Sequence, residues 1–426
     1  MLLAALFLVA ATSAAADTLV ITDVSVLPMD RPAVLEHQTV VVADGRIIAL
    51  GPAKNVAAPP GARVIDGRGK FLLPGLVDMH VHLTTPDELS MYVGNGVLTV
   101  RDLNGSPETL RWRHDVAIGS LVGPRLFVSG PMIAGKEIPW QNKVVPSTAA
   151  QADSVVRAQK AAGYDQIKIY DGISKPVFDA AVTAAKRAGL PVSGHIPASV
   201  GFDGVLAAKM NLEHLDKTVF AVTRHELDTL LIPSIVSRIK NAGVWVTPTL
   251  ESMVQLSKVA SGRFDSLLTR PEALVVPEGL RAFWTSITVR LAGNRALPSD
   301  VRCNPWCEYQ LRLAGALAKA GVPMLAGTDV PNAVLVPGYS LHRELEVMVD
   351  AGATPFQALV AATSAPARFF GQERDWGTIA VGRRANLYMI ERNPLGDITA
   401  LQRPFGVVLE GRWIDEAELA RLRKAQ

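Results

Sequence analysis

The middle of the chain alternates between short apolar runs and alanine-rich stretches with helical spacing. Eight runs have the length and composition of buried strands, and they begin at Gly75, Val97, Pro124, Gln166, Pro191, Asn211, Val244 and Pro323. Between them lie stretches such as SKPVFDAAVTAAKRAG, from Ser174, which is typical of a helix. Eight strands that alternate with helices predict an α/β fold, in which a parallel sheet closes into a (β/α)8 TIM-like barrel.

Both ends of the chain have a different pattern, in which β-branched runs are broken by Asp-Gly and Gly-Pro turns. The runs TLVITDVSVLPM and QTVVVADGRIIALG stand near the start, and ANLYMIE and PFGVVLEGRWID stand near the end. Two strand-rich segments that flank a long middle predict one small β-sandwich domain built from both chain ends. The predicted boundaries are 17–70 and 373–426 for this domain and 71–372 for the barrel.

One connection in the predicted barrel is much longer than the others. It covers residues 251–320, after the seventh apolar run. We expect this insertion to form extra helices over one mouth of the barrel. Substrate specificity in such barrels depends on the βα loops, and the insertion contains no motif that identifies a substrate.

The first residues have the pattern of an export signal. Leu2–Ala11 is apolar but too short to span a bilayer, and the small residues after it end in an A-x-A pattern at Ala16. We therefore predict a signal peptide at 1–16 and a periplasmic or secreted mature protein. The segment lacks an early Lys or Arg, and an ordered apolar strand is the alternative. The residue directly after the predicted cleavage site is Asp17 and not a cysteine, so we expect no lipid anchor there.

The composition narrows the range of partners. Of the 426 residues, 49% are hydrophobic and 19% are charged, which is typical of a globular protein rather than a disordered one. The formal net charge is only +3, and no block of Lys and Arg stands out, so nucleic acid is not an expected partner. We expect a small-molecule substrate, and a homo-oligomer stays open.

The chain has two cysteines, Cys303 and Cys307, in the sequence VRCNPWCEYQ. In an oxidising compartment they could form a local disulfide across a turn at Asn304 and Pro305. A pair of free thiols is the alternative.

Residues of types that can bind metal ions lie at the predicted strand ends, where TIM barrels carry their catalytic groups. These residues are His80, His82, Lys168, His195, His214 and Asp329. His80 and His82 are two positions apart in one strand and therefore share a face. Each histidine alone could be a core residue, but four imidazoles and a carboxylate together suit Zn²⁺ or another borderline divalent ion. With a bridging group, the set could hold two ions.

Lys168 is the candidate for the bridging group. Two dications would repel its ammonium form, so the lysine cannot bridge them as it stands. A neutral amine that has captured carbon dioxide becomes a carbamate, N6-carboxylysine, which is anionic and bidentate. An ordinary barrel lysine that pairs with Asp329 or Asp165 is the alternative.

Five motifs occur in one order along the chain: PGLVDMHVH, IKIYDG, VSGHI, NLEHL and LAGTDVP. In these motifs the chain resembles the amidohydrolase superfamily, of the binuclear type with a carboxylated lysine. The resemblance extends over nearly the whole mature chain and is strongest to the imidazolonepropionase-like enzymes and metal-dependent prolidases (Xaa-Pro dipeptidases). The chain departs from the family at Asn386, where the family usually has Asp. That position lies in the β domain, away from the candidate site.

The resemblance implies a ligand set and a mechanism. It implies that His80, His82 and Asp329 hold one ion and that His195 and His214 hold the second, with carboxylated Lys168 between them. A hydroxide between the ions would attack a polarised carbonyl. Asp329 would accept the hydroxide proton and pass it to the leaving nitrogen.

Four further residues are weaker candidates. Asp78 shares a face with His80 and could orient it, or could be a packing partner. Tyr170 could meet substrate near the mouth, or could be a core aromatic. Arg101 could bind a substrate carboxylate, or could form a structural ion pair with Asp102 or another acid. His342 could reach substrate, or could cap a helix.

We therefore expect an enzyme that hydrolyses an amide bond, in dipeptides or N-acyl amino acids. An enzyme that opens a lactam, another cyclic amide or a lactone is the alternative within hydrolases. A barrel relative without catalytic activity would be expected to lose metal ligands, whereas all six positions are filled here.

Overall fold

The computed structural model describes residues 18–223, 226–291 and 303–424. The predicted signal peptide at 1–16 lies outside the described residues. Within these ranges, no helix is both long enough and apolar enough to cross a bilayer.

The strands, numbered in chain order, are β1 (Leu19–Val26), β2 (Leu35–Ala43), β3 (Arg46–Pro52), β4 (Arg63–Asp66), β5 (Phe71–Pro74), β6 (Leu76–Val81), β7 (Val97–Asp102), β8 (Arg125–Val128), β9 (Met132–Ile133), β10 (Lys143–Val144), β11 (Ile167–Ile169), β12 (Val192–Gly194), β13 (Asn211–Glu213), β14 (Val246–Thr247), β15 (Leu387–Ile390), β16 (Pro404–Leu409) and β17 (Arg412–Asp415).

The helices are α1 (Asp87–Gly94), α2 (Pro107–Ala117), α3 (Ala149–Ala161), α4 (Lys175–Arg187), α5 (Gly201–Ala207), α6 (Leu215–Thr223), α7 (Ile232–Ala242), α8 (Leu250–Ala260), α9 (Phe264–Leu268), α10 (Glu278–Leu291), α11 (Pro305–Lys319), α12 (Tyr339–Asp350), α13 (Pro355–Ala361), α14 (Ser364–Phe369) and α15 (Glu416–Leu422).

Parallel pairs form the barrel, as the alternating pattern predicts. Strands β6, β7 and β8 pair in sequence, and so do β11, β12, β13 and β14. A bridge between Ser129 and Gln166 connects the two groups. The eighth apolar run contains no regular strand. Instead, it closes the barrel through isolated parallel bridges at Met324, to Val246, and at Val330, to Val81.

The two ends of the chain meet in one sheet, which confirms the predicted terminal domain. Its strand order is β17-β16-β15-β5-β1-β2-β3, and β4 pairs with β1. The junction is the antiparallel pair of β5 and β15, in which Leu72 lies opposite Met389. Strand β5 thus belongs to this sheet, although it lies on the barrel side of the boundary expected at residue 70.

Helix α4 shows how the sequence produces the outer layer of the barrel. Pro176 lies in its first turn, where a missing N–H costs nothing. Its buried residues are Val177, Phe178, Ala181, Ala184 and Ala185, which recur at the spacing of one helical face. That face packs in the main hydrophobic core.

The described part of the long insertion is helical and lies against the end of the eighth apolar run. It contains nearly all of α8 and the whole of α9, α10 and α11. Trp284 of α10 is 1% exposed, and its Nε1 donates a hydrogen bond to the carbonyl of Pro331 at 2.7 Å. Pro331 is two residues beyond Asp329, so the insertion packs beside the candidate site.

The two cysteines are bonded in the structure, at the start of α11. Cys303 and Cys307 have Cα atoms 5.5 Å apart. Asn304 lies between them and caps the helix, because its Oδ1 accepts a hydrogen bond from the backbone N–H of Cys307 at 2.8 Å.

Candidate active site

The fold brings the predicted metal ligands of different strands into contact. Asp329 Oδ1 is 3.1 Å from His82 Nε2 and 3.4 Å from His80 Nε2, and Asp329 Oδ2 is 4.0 Å from His214 Nδ1. The ring centroids of His80 and His214 are 4.3 Å apart, and those of His195 and His214 are 5.2 Å apart. Ligand atoms of His80, His214 and Asp329 all lie within 4.8 Å of one another, close enough to share one ion.

Unusual backbone conformations aim these side chains. His214, Thr249 and Asp329 have φ angles of 64°, 52° and 67°, in the left-handed region that residues other than glycine seldom adopt. Backbone hydrogen bonds hold two of them, because His214 N–H donates to Thr247 at 2.9 Å and Asp329 N–H donates to His80 at 2.7 Å. Such strain is concentrated at functional sites, where the surrounding structure maintains it.

Three of the histidines have their Nδ1 atoms occupied by a partner outside the cluster. Nδ1 of His80 is 2.8 Å from Glu213 Oε2, and Nδ1 of His195 is 2.9 Å from Asp171 Oδ2. Nδ1 of His214 is 2.9 Å from the hydroxyl of Thr249, which itself donates to the Pro248 carbonyl and is therefore an acceptor for the histidine. A protonated Nδ1 leaves the lone pair of Nε2 free for a metal.

The polar atoms at the centre of the cluster fit metal ions. His80 Nε2, His82 Nδ1 and Lys168 Nζ are buried and have no hydrogen-bond partner within the described residues. A buried nitrogen atom without a hydrogen-bond partner lowers the stability of the folded protein, so a bound ion at these atoms would remove that cost. Burial, together with nearby positive charges such as Lys168, lowers the pKa of His80 and His195 well below the usual range. Burial likewise lowers the pKa of His214. Neutral imidazoles are the form that binds metal.

The environment of Lys168 favours its neutral amine, the form that can capture carbon dioxide. The residue is 1% exposed, and burial lowers its pKa to about 8, so about a tenth of the amine is neutral at pH 7. Asp165, one of its alternative partners, is instead bound to Arg113 at 2.9 Å. The structure contains no ion pair between Lys168 and Asp329 within the described residues.

Asp329 is ionised in this environment. Burial alone would raise its pKa, but His214, His82 and a hydrogen bond from Asn332 outweigh burial and lower the pKa to about 2. Asn332 Nδ2 donates to Asp329 Oδ2 at 2.7 Å. The carboxylate is therefore charged at neutral pH and available as a metal ligand.

A model of the amidohydrolase family matches residues 71–414, which include every residue of this cluster. The chain belongs to the amidohydrolase family. Its members are metal-dependent hydrolases that act on C–N bonds. The family assignment confirms the resemblance seen in the five motifs.

Curated relatives of this amidohydrolase have several functions. The adenine deaminase of Paracoccus denitrificans is 25% identical over 369 residues, which are 84% of this chain and 51% of the relative. The dihydroorotase of Anaeromyxobacter dehalogenans is 26% identical over 278 residues, which are 63% of this chain and 55% of that relative. The chain spans about half the length of the curated relatives it matches.

Solved structures resemble the amidohydrolase over nearly its full length. A bottromycin amidohydrolase is 29% identical with a TM-score of 0.78, and the match covers 95% of this chain and 89% of that one. A putative prolidase from Bifidobacterium longum is 23% identical with a TM-score of 0.71, and the match covers 96% and 98% of the two chains. The prolidase shows the fold alone, because its identity is low.

The structure corrects the substrate-binding role expected for Arg101. Arg101 is fully buried, and its guanidinium donates to Glu213 Oε1 at 2.6 Å and to the carbonyl of Met79. It therefore forms the structural ion pair that was its alternative, with Glu213 rather than with Asp102. Since Glu213 also binds His80, Arg101 supports the metal site from inside the barrel.

The three other weaker candidates, His342, Tyr170 and Asp78, differ in burial and in their hydrogen-bond partners. His342 is 1% exposed, and its Nε2 is 2.8 Å from the Asn95 carbonyl. Tyr170 is partly exposed, its ring lies 3.9 Å from that of His195, and its hydroxyl accepts a hydrogen bond from Trp140 at 3.0 Å. Asp78 accepts a hydrogen bond from the backbone N–H of His80 at 3.1 Å, rather than from its ring. Tyr170 thus remains the candidate for a substrate contact.

Sequence reasoning missed Glu213, Asp171 and Thr249, which orient the histidine rings. Glu213 directly precedes His214, and Asp171 is three residues beyond Lys168. Both lie at ends of barrel strands, so the rule that located the ligands could also have located them. Thr249 follows the seventh strand, for which no functional residue was proposed.

We expect Glu213→Gln to lower metal affinity by about 10- to 100-fold, the usual effect of removing a partner of a metal-binding histidine. The substitution removes the charge that pairs with Arg101 and weakens the hydrogen bond to His80. Calorimetric titration of the metal-free protein with Zn²⁺ measures the change. Glu108→Gln, on the exposed surface of α2, is the matched control. An unchanged Zn²⁺ affinity in Glu213→Gln would show that Glu213 does not orient His80.

Proposed function

We propose that this protein is an exported amidohydrolase with two divalent ions, Zn²⁺ in the first instance, that cleaves the amide bond of dipeptides or N-acyl amino acids. One observation carries the proposal: histidine nitrogens without partners, an unpaired Lys168 amine and an ionised Asp329 meet in one buried cluster. Export rests on the apolar segment and A-x-A pattern of residues 1–16.

Each residue of the cluster has a role in this proposal. One ion would be held by His80, His82 and Asp329. The other ion would be held by His195 and His214. Carboxylated Lys168 would bind both ions. Bound divalent ions lower the pKa of water into the neutral range and polarise a carbonyl. Asp329 accepts the proton of the attacking water and returns it to the leaving nitrogen, as general base and then general acid.

The comparisons support two substrate classes. The bottromycin amidohydrolase, at 29% identity over nearly the whole chain, favours an amide substrate. The curated adenine deaminases favour a second candidate, hydrolytic deamination of an aminopurine, for which the same residues would hold the ions. Both reactions break a C–N bond with water.

A release assay separates the two candidates. Zn²⁺-loaded protein from residue 17 onward is incubated with dipeptides and N-acyl amino acids, and in parallel with adenine. We expect free amino acid from a subset of the first group and no ammonia from adenine. Ammonia from adenine alone would establish the deaminase, and no release from either group by protein with bound metal would contradict both candidates.

A further inference from the structure

Three cationic side chains influence the electrostatics of the candidate metal ligands, and these three side chains differ in their exposure to solvent. Lys168 and Arg101 both have at most 1% of their surface exposed. Lys217 keeps 34% of its side chain exposed. Of these three cations, Lys217 is therefore the one that can contact a solute.

The chain places Lys217 directly beside the metal ligands. It lies in the first turn of α6, three residues after His214. Its charge acts on His195, on Tyr170 and on Asp171, the carboxylate that binds His195. Lys217 thus follows the same barrel strand, β13, whose end carries His214.

Lys217 is charged, and its ammonium group can donate further hydrogen bonds. Burial alone would lower its pKa, but the carboxylates of Asp216 and Asp171 outweigh burial and raise it, so the ammonium persists at neutral pH. Within the part of the chain that the structure describes, its ion pair is with Asp216 Oδ2, at 3.1 Å. An ammonium has three N–H donors, and one carboxylate oxygen does not use them all.

We propose that Lys217 binds the free carboxylate of the substrate and so selects dipeptides and N-acyl amino acids over their neutral derivatives. The proposal rests on the proposed function. A substrate carboxylate that is held beside Lys217, away from the ions, would otherwise lie near the negative charges of Asp216 and Asp171. Arg101, the other candidate for this contact in the sequence, is buried and bound to Glu213. A charge-assisted hydrogen bond from Lys217 would both offset the repulsion and fix which end of the substrate points away from the ions.

The test compares acid and amide substrates in matched variants. L-alanyl dipeptides, each as the free acid and as the C-terminal amide, are presented to the Zn²⁺-loaded wild type, Lys217→Met and Lys217→Arg. Lys186→Met, at the exposed end of α4, is the control for loss of a lysine. Cleavage gives kcat and KM, and calorimetry gives binding independently of turnover.

We expect the wild type to prefer free acids, and Lys217→Met to lose about 10- to 100-fold in kcat/KM for them, mainly through KM, as for a lost hydrogen bond between charged groups. The amides should change little, and Lys217→Arg should retain most of the preference. If Lys217→Met lost equal kcat/KM for acids and amides, or if the wild type did not prefer acids, the proposed role of Lys217 would be wrong. The proposed hydrolase activity would not be affected by either result. Binding of acids without cleavage would overturn the hydrolase and leave the role intact. Failure to bind either group would overturn both.

Discussion

Asp329→Asn is expected to lower kcat by about 10²- to 10⁴-fold, the usual contribution of a positioned general acid–base group, while much of the metal stays bound. Asparagine has the same size and retains a carbonyl oxygen that can bind an ion. It cannot accept a proton at neutral pH, whereas the carboxylate of Asp329 can. Steady-state kinetics and elemental analysis of the same preparation separate loss of turnover from loss of metal.

The control for this variant is Asp179→Asn, on the exposed surface of α4, which should leave kcat unchanged. A near-normal kcat in Asp329→Asn with full metal content would assign the proton transfer to another group. Loss of metal together with activity would show that Asp329 acts mainly as a ligand.

Lys168→Ala is expected to abolish activity and to regain part of it with formate, acetate or propionate. The alanine leaves a cavity where the lysine side chain was, because that side chain is buried. A small carboxylate in that space has the charge and two oxygens of a carbamate, so it can replace the bridge. Activity is measured against carboxylate concentration, at constant ionic strength.

Lys168→Met provides the matched control, since its side chain fills the same space and leaves no room for the carboxylate. It should be inactive with or without the added acids. Full activity of Lys168→Ala without added acid would remove the carbamate bridge from the mechanism. Equal rescue of both variants would show that the acids act elsewhere.

The convergence of the candidate ligands could be predicted from the sequence because parallel strands deliver their carboxyl ends to one mouth of a barrel. Histidines at the ends of the first, fifth and sixth apolar runs had to converge there, however far apart they lie in the chain. The same reasoning located Asp329, although the run that carries it forms only isolated bridges. Position at a strand end was sufficient, and a regular strand was not needed.

The partners of the ligands were harder to predict, because they depend on tertiary contacts. Arg101 and Glu213 are 112 residues apart and meet inside the barrel, so a carboxylate partner for Arg101 could be expected but not identified. The left-handed conformations of His214 and Thr249 disagree with their local preferences. Surrounding hydrogen bonds impose them, and no periodicity in the sequence records those bonds.

The most direct test of the account is the number of divalent ions bound per chain. Elemental analysis of protein purified with Zn²⁺ and bicarbonate, and cleared of loosely bound metal, gives this ratio for the wild type and for a His195→Ala/His214→Ala variant. The proposed ligand set predicts two ions in the wild type and one in the variant. One ion in both proteins, or none in either, would contradict a binuclear centre at these residues.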